Sequence, residues 1–270
     1  MSSQLTYAPT REELMAVYRQ KYSRKDALGW GPTMRLNFGY FTPNDYYEAL
    51  VGKLLPAGRD WCDVGCGRSI FPDNPELAER YAARCRFVYG IDPDDNVREN
   101  PFVHGYFQGL VEDCQTDREF DLVTLRMVAE HIVDPSSALR RVASLLKSGG
   151  HAVIYTPHKW AVMSIAASVV PFGLHNPLKR LLWWTSEARD TFPTQYKLNT
   201  YKDLKRHGEQ AGLEQVHYER LDDCRISTSY RALNWLELSA RNALRGIGIP
   251  YPEACIVSVL QKRASDGARA

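Results

Sequence analysis

CDVGCGRSIFP (residues 62–72) puts two glycines, two cysteines and an acid into one turn-like stretch. Four chemistries use such a composition: a metal knuckle, a redox pair, a phosphate loop and a nucleoside-binding loop. A knuckle fails because no second Cys/His pair follows at zinc-ligand distance, and Cys62 falls inside a strand pattern. A redox pair needs C-x-x-C, whereas three residues separate Cys62 from Cys66. A phosphate loop needs a lysine after its second glycine, and none follows. What remains is a glycine turn after the first strand of a doubly wound sheet. There Gly65 and Gly67 permit a sharp turn and a close approach of ligand to backbone. The dinucleotide fingerprint G-x-G-x-x-G is not met, since Ile70 holds its last position, and Asp63 would repel a pyrophosphate.

Outward from this loop, strands and helices alternate. RDWCDVG (59–65), RFVYGID (86–92), FVHGYF (102–107), EFDLVTLRMV (119–128) and HAVIYTP (151–157) read as strands. NPELAERYAARC (74–85) reads as a helix, and PSSALRRVASLLKSGG (135–150) as a helix stopped by its glycines. Connections of this length build βαβ units and a parallel sheet. Upstream, residues 11–25 form a leading helix, 28–47 a turn-rich aromatic segment, and 46–55 another helix. The rhythm breaks after Pro157 and resumes with a helix (201–213), a strand (214–221), a helix (230–244) and a strand (254–263). The expected organisation is a helical lid at 1–56, one α/β domain at 57–263 with an insertion at 158–200, and a flexible tail at 264–270.

The chain has 270 residues, a formal net charge of +2 and no Lys/Arg block, so no nucleic-acid footprint is expected. The N-terminus lacks a secretory layout, and the most apolar run (160–174) contains Pro171 and is too short to span a bilayer. A cytoplasmic location with six reduced cysteines is the expectation.

DVGCGRS (63–69) resembles the first motif of the class I S-adenosylmethionine-dependent methyltransferases, with Ser69 in place of a third glycine. VYGIDPD (88–94) is similar to the second strand of that family, and residues 120–157 to the fourth strand, the following helix and the fifth strand of its small-molecule, ubiquinone-biosynthesis-like branch. The resemblance implies a Rossmann-like, mostly parallel seven-stranded sheet, S-adenosylmethionine as cofactor and S-adenosylhomocysteine as product. It assigns Gly65 and Gly67 to the backbone cradle, Asp63 to the positively charged amino-acid end and Asp92 to the ribose hydroxyls. Adenine falls to Glu112 or Asp113, and the methionyl part to Arg126 and Met127, largely through main chain. His131, at the end of the fourth strand, and His158 and Tyr196, at the two ends of the insertion, are the candidate polar contacts or bases; no metal site is expected. The implied partner is a small-molecule acceptor, attacked at oxygen in preference to nitrogen, by a monomer or homodimer. A basic pair beside tryptophans in NPLKRLLWW (176–184) keeps a lipid-like acceptor or a transient membrane contact as an alternative. A non-catalytic cofactor-binding relative is the other.

Overall fold

The computed structural model describes residues 6–22, 29–161, 193–225 and 228–263. The bulk of the insertion, with the NPLKRLLWW stretch, and the tail lie outside them. Fourteen elements carry the argument: α1 (Arg11–Lys21), α2 (Trp30–Asn37), α3 (Pro43–Leu54), β1 (Asp60–Val64), α4 (Pro75–Arg84), β2 (Phe87–Asp92), β3 (Gly105–Gln108), β4 (Phe120–Arg126), α5 (Pro135–Leu145), β5 (Leu146–Pro157), α6 (Tyr201–Gln210), β6 (Leu213–Asp222), α7 (Arg231–Gly246) and β7 (Glu253–Lys262).

The strands form one sheet in the order β3-β2-β1-β4-β5-β7-β6. The first five are mutually parallel, and β7 lies antiparallel between β5 and β6. Strand order reverses at β1, whose neighbours are β2 on one side and β4 on the other, so the two crossovers diverge there. Ligands in open α/β sheets bind in the crevice at such a point, at the carboxyl ends of the strands. The fold thus places the loop after Val64 at the one position suited to a site.

β1 is buried on both faces, as a central parallel strand must be. Cys62 and Val64 face one core with Leu139, Val142 and Ile154, while Trp61 faces the other with Tyr47, Phe71 and Tyr81. Four of these seven helices start at a side-chain cap. Thr10 and Thr42 close capping boxes with Glu13 and Asp45, Asp134 caps α5 through the amides of Ser136 and Ser137, and Thr200 caps α6.

Two local expectations differ from the structure. The segment read as turn-rich contains α2, because Pro32 falls in its first turn, where a missing amide hydrogen is no loss. And α5 ends at Leu145, well before the glycines, because Leu146 already pairs with Phe120 and the register then shifts before Leu122 meets His151. Gly150 belongs to that irregular step: a Cβ there would lie 2.9 to 3.2 Å from the carbonyl oxygens of Lys147, Phe120 and Asp121.

Candidate active site

Gly65 leaves β1 with φ +74°, in the left-handed region, and its amide donates to the Ile91 carbonyl at 2.7 Å. A Cβ on it would sit 2.2 Å from Cγ2 of Val128, so only glycine lets the first turn close against the chain after β4. Gly67, at φ +44°, donates its amide to Asp92 Oδ2 at 2.8 Å, and the Asp94 amide donates to Asp92 Oδ1 at 2.8 Å. Buried Asn100 donates from its side chain to the carbonyls of Cys66 and Gly67 at 3.2 and 3.0 Å. The loop is therefore braced from beneath by Asp92 and Asn100. Sequence reasoning missed Asn100, which lies thirty-odd residues away with no motif to mark it.

Above the loop is a cavity of about 450 Å³, lined by Gly65, Asp92, Glu112, Met127, Val128 and His131 among others. Each Asp92 oxygen accepts one amide and keeps a further lone pair, the acceptor capacity a vicinal diol requires. Burial raises the Asp92 and Glu112 carboxyls above their ordinary values, those oriented amides working against it at Asp92. Of the two acids proposed for adenine, Glu112 lines the cavity, and Asp113 is not among its lining residues. Met127 sits at φ +53°, with its amide bonded to the Tyr155 carbonyl at 2.7 Å, which turns the chain out of β4 into the cavity wall.

His131 Nδ1 lies 3.4 Å from the carbonyl oxygen of Pro193. A carbonyl only accepts, so in this contact the ring donates from Nδ1. The other predicted residues lie apart. Asp63 is buried, accepting from Thr124 Oγ1 at 2.5 Å, on the sheet face opposite Cys62 and Val64, because side chains alternate along β1. Trp61 Nε1 donates to the same Thr124 hydroxyl at 2.8 Å. Arg126 ends β4 on that same face, two residues beyond Thr124. His158 belongs to a separate open groove with Trp160, Tyr201, Arg220 and Glu253, where burial and the Arg220 charge lower its ring below the ordinary histidine value. Tyr196, at φ +51°, donates its amide to the Glu130 carbonyl at 3.2 Å.

Glu130 ties this region together. Its carbonyl also accepts from the Gln195 amide at 2.6 Å, and its buried carboxylate accepts from Thr156 Oγ1 at 2.7 Å. Asn199 in turn donates to Thr156 Oγ1 at 2.7 Å and to the Pro157 carbonyl at 2.9 Å. In a low-dielectric setting this hydrogen-bonded chain is strong, and it fixes where the polypeptide leaves and re-enters the sheet.

A family model described as "Methyltransferase domain" matches residues 41–218. This chain belongs to that family. It is a class I S-adenosylmethionine-dependent methyltransferase. Among curated relatives, the ubiquinone biosynthesis O-methyltransferase of Aeromonas salmonicida is 30% identical over 202 residues, covering 66% of this chain and 74% of that protein. The enzyme of that name from Marinobacter nauticus is 35% identical over 116 residues, covering 38% and 46%; for the Proteus mirabilis one the shares are 52% and 62% at 31% identity. The chain thus spans about half to three quarters of these proteins' lengths. In shape, it matches a chain of the complex between the Haloferax volcanii Trm112 methyltransferase activator and a methyltransferase with a TM-score of 0.51, at 15% identity, over 94% of this chain and 98% of that one, a likeness of fold.

The residues present fit the donor. The methyltransferase offers a Cβ-free loop at Gly65, a two-amide-braced carboxylate at Asp92 for a ribose diol, and apolar walls from Val64, Ile91 and Val128 around the rest. Among the described residues, no cluster of three or more His, Cys, Asp or Glu side chains is arranged to hold a metal ion. No helix among them is long and apolar enough to cross a membrane.

Proposed function

We propose that the methyltransferase carries a methyl group to an oxygen, or alternatively a nitrogen, of a small-molecule acceptor, with His131 as the base that takes the acceptor's proton. One observation carries the reading: the cavity that holds the Asp92 carboxylate and the Gly65 turn is also lined by a histidine, His131, whose Nδ1 lies at the Pro193 carbonyl. When bound, S-adenosylmethionine supplies a sulfonium methyl that is transferred by in-line displacement.

Within this reading, Asp92 and Glu112 hold the nucleoside, Asp92 through two hydroxyl hydrogen bonds and Glu112 at the base. Met127 shapes the wall beside the transferable group, with Arg126 and Met127 serving the methionyl end through their main chain. Asp63 acts indirectly: its buried carboxyl, held by Thr124, favours a cationic ligand end when ionised, without touching it. Of the three candidate bases, His131 lines this cavity, whereas His158 belongs to the separate groove and Tyr196 is not among the residues lining the cavity. The Aeromonas relative's name, an O-methyltransferase of ubiquinone biosynthesis, supports oxygen as the attacked atom.

The test combines titration calorimetry with S-adenosylhomocysteine and mass spectrometry of products from a panel of phenols and amines. Saturable product binding and a gain of one methyl on a phenol support the reading. No binding, or binding with no acceptor methylated, removes the catalytic part of it.

A further inference from the structure

The last helix, α7, presents an apolar stripe on the side that does not face the protein. Its inner face is firmly held. Asn234 donates to the Cys224 carbonyl at 3.0 Å, Leu238 is buried beside Tyr40, and Arg241 pairs with Asp222 at 2.8 Å while stacking over the Tyr40 ring. On the outer face, Leu233, Leu236 and Ile247 are 52%, 55% and 71% exposed, and Ala240 and Ala243 between them are exposed too. The spacing from Leu233 through Leu236, Ala240 and Ala243 to Ile247 is three, four, three, four. That is the seam of a helix built to pack against another helix.

From this seam we infer that α7 is the contact by which two copies of this chain associate, antiparallel, about a two-fold axis beside Ala240. The stripe is bulky at both ends and small in the middle, so it is complementary to itself when reversed. Leu233 meets the partner's Ile247, Leu236 fills the space over the partner's Ala243, and Ala240 lies against the partner's Ala240, where only small side chains let two helices approach closely. No charge lies in the seam to repel its own copy. The single acid of the helix, Glu237, turns inward to Tyr251, and Arg241 and Arg245 turn towards Asp222.

The same disposition argues against a lipid surface as the occupant. An interfacial helix carries its basic residues outward along the polar flank, whereas two of the three arginines of α7 face an internal carboxylate. One helix face of sixteen residues, about 24 Å long and about 10 Å wide, covers less than the about 800 Å² a side of a standard interface. Association is therefore concentration-dependent, with a dissociation constant in the range of about 1 to 100 µM.

Sedimentation of the full chain across that range tests it, against a monomer mass of 30.8 kDa. The expected result is a shift towards twice that mass, abolished by Ala240→Glu, which sets two carboxylates face to face, and kept by Arg231→Glu, outside the seam. In Ala240→Cys the antiparallel register brings the two introduced thiols together, so mild oxidation gives a covalent dimer that the wild-type chain does not form. A monomer at every concentration overturns the inference, as does a dimer that survives Ala240→Glu. So does an Ala240→Glu chain whose melting temperature falls while its mass never changed, which would mean that another part of the chain covers the seam. Flotation with anionic vesicles that Arg231→Glu abolishes, without dimerisation, would assign the face to lipid instead.

Discussion

Replacing Asp92 by alanine tests how the site holds its donor. Both carboxylate oxygens are already fixed by an amide at 2.8 Å, one from Gly67 and one from Asp94, so the side chain is oriented before any ligand arrives. Hydrogen bonds to a charged group are worth about 1.5–3 kcal/mol each, so two hydroxyl contacts give about 3–6 kcal/mol. Solvent entering the truncated site recovers part of this, and the lower end, about 100-fold in affinity, is the expected loss. Titration calorimetry with S-adenosylhomocysteine measures it. A second ligand sharpens the test: an analogue lacking the 2′-hydroxyl should bind the wild-type chain at least about tenfold more weakly, yet bind Asp92→Ala no worse than the parent ligand does. That is a double-mutant cycle between side chain and hydroxyl. If Asp92→Ala binds within about threefold of wild type, or if the deoxy penalty persists in the variant, the carboxylate does not read the ribose.

The remaining expectations follow from the same geometry. Gly65→Ala places a Cβ at 2.2 Å from Val128 in a left-handed conformation that disfavours any side chain by about 1–2 kcal/mol; thermal unfolding should begin about 4 °C lower or more, and an unchanged melt would show that the turn is relaxed. Burial lifts the Asp63 carboxyl to about 7, against about 4 in an unfolded chain. The folded protein therefore retains a proton that the unfolded chain has released, and stability falls as pH climbs from about 4 to about 7. Asp63→Asn removes that slope; melts at several pH values in this window would refute the account if both proteins lose stability equally. At the other end of the same strand, Arg86 and Lys147 hold Asp60 down to about 2, so its contribution has the other sign, present above about pH 4 and lost as pH falls towards 2. His131→Gln should lower kcat by about 100-fold or more while product affinity stays within about threefold; equal losses in both would make the residue a binding contact.

The strand-turn-helix of residues 59–85 and the sheet that follows from it were legible because central parallel strands are apolar throughout and their glycine turns are chemically constrained. The cavity residues Gly65, Asp92 and Met127 were legible for the same reason, since each stands at the carboxyl end of a strand. What was not legible depends on partners brought together by strand order. Glu130, Thr156 and Asn199 lie 26 and 43 residues apart and become neighbours only when β4 and β5 align. Asp63 was assigned to the positively charged ligand end from the motif alone, but its hydrogen bond from Thr124 depends on β4 lying beside β1 and was not legible. His158 stands one residue beyond β5, yet its side chain falls in a different groove from His131. And α7 carries apolar residues on two faces, a pattern that marks a helix without saying which face is inward.

The pinning at Glu130 has a consequence for how such a protein changes over time. The amides of Gln195 and Tyr196 both end on its carbonyl, and the Lys159 amide is bonded to the Asn199 carbonyl at 3.1 Å, so the chain departs from β5 and returns to it at two points already clasped together. The entropic penalty for closing a segment between fixed ends grows only with the logarithm of its length. Residues between those points can be lengthened, shortened or exchanged wholesale with little effect on the sheet or on the donor loop. The clasp makes the stretch between those points a replaceable cassette, which can be swapped while the methyl-donor half of the molecule stays as it is.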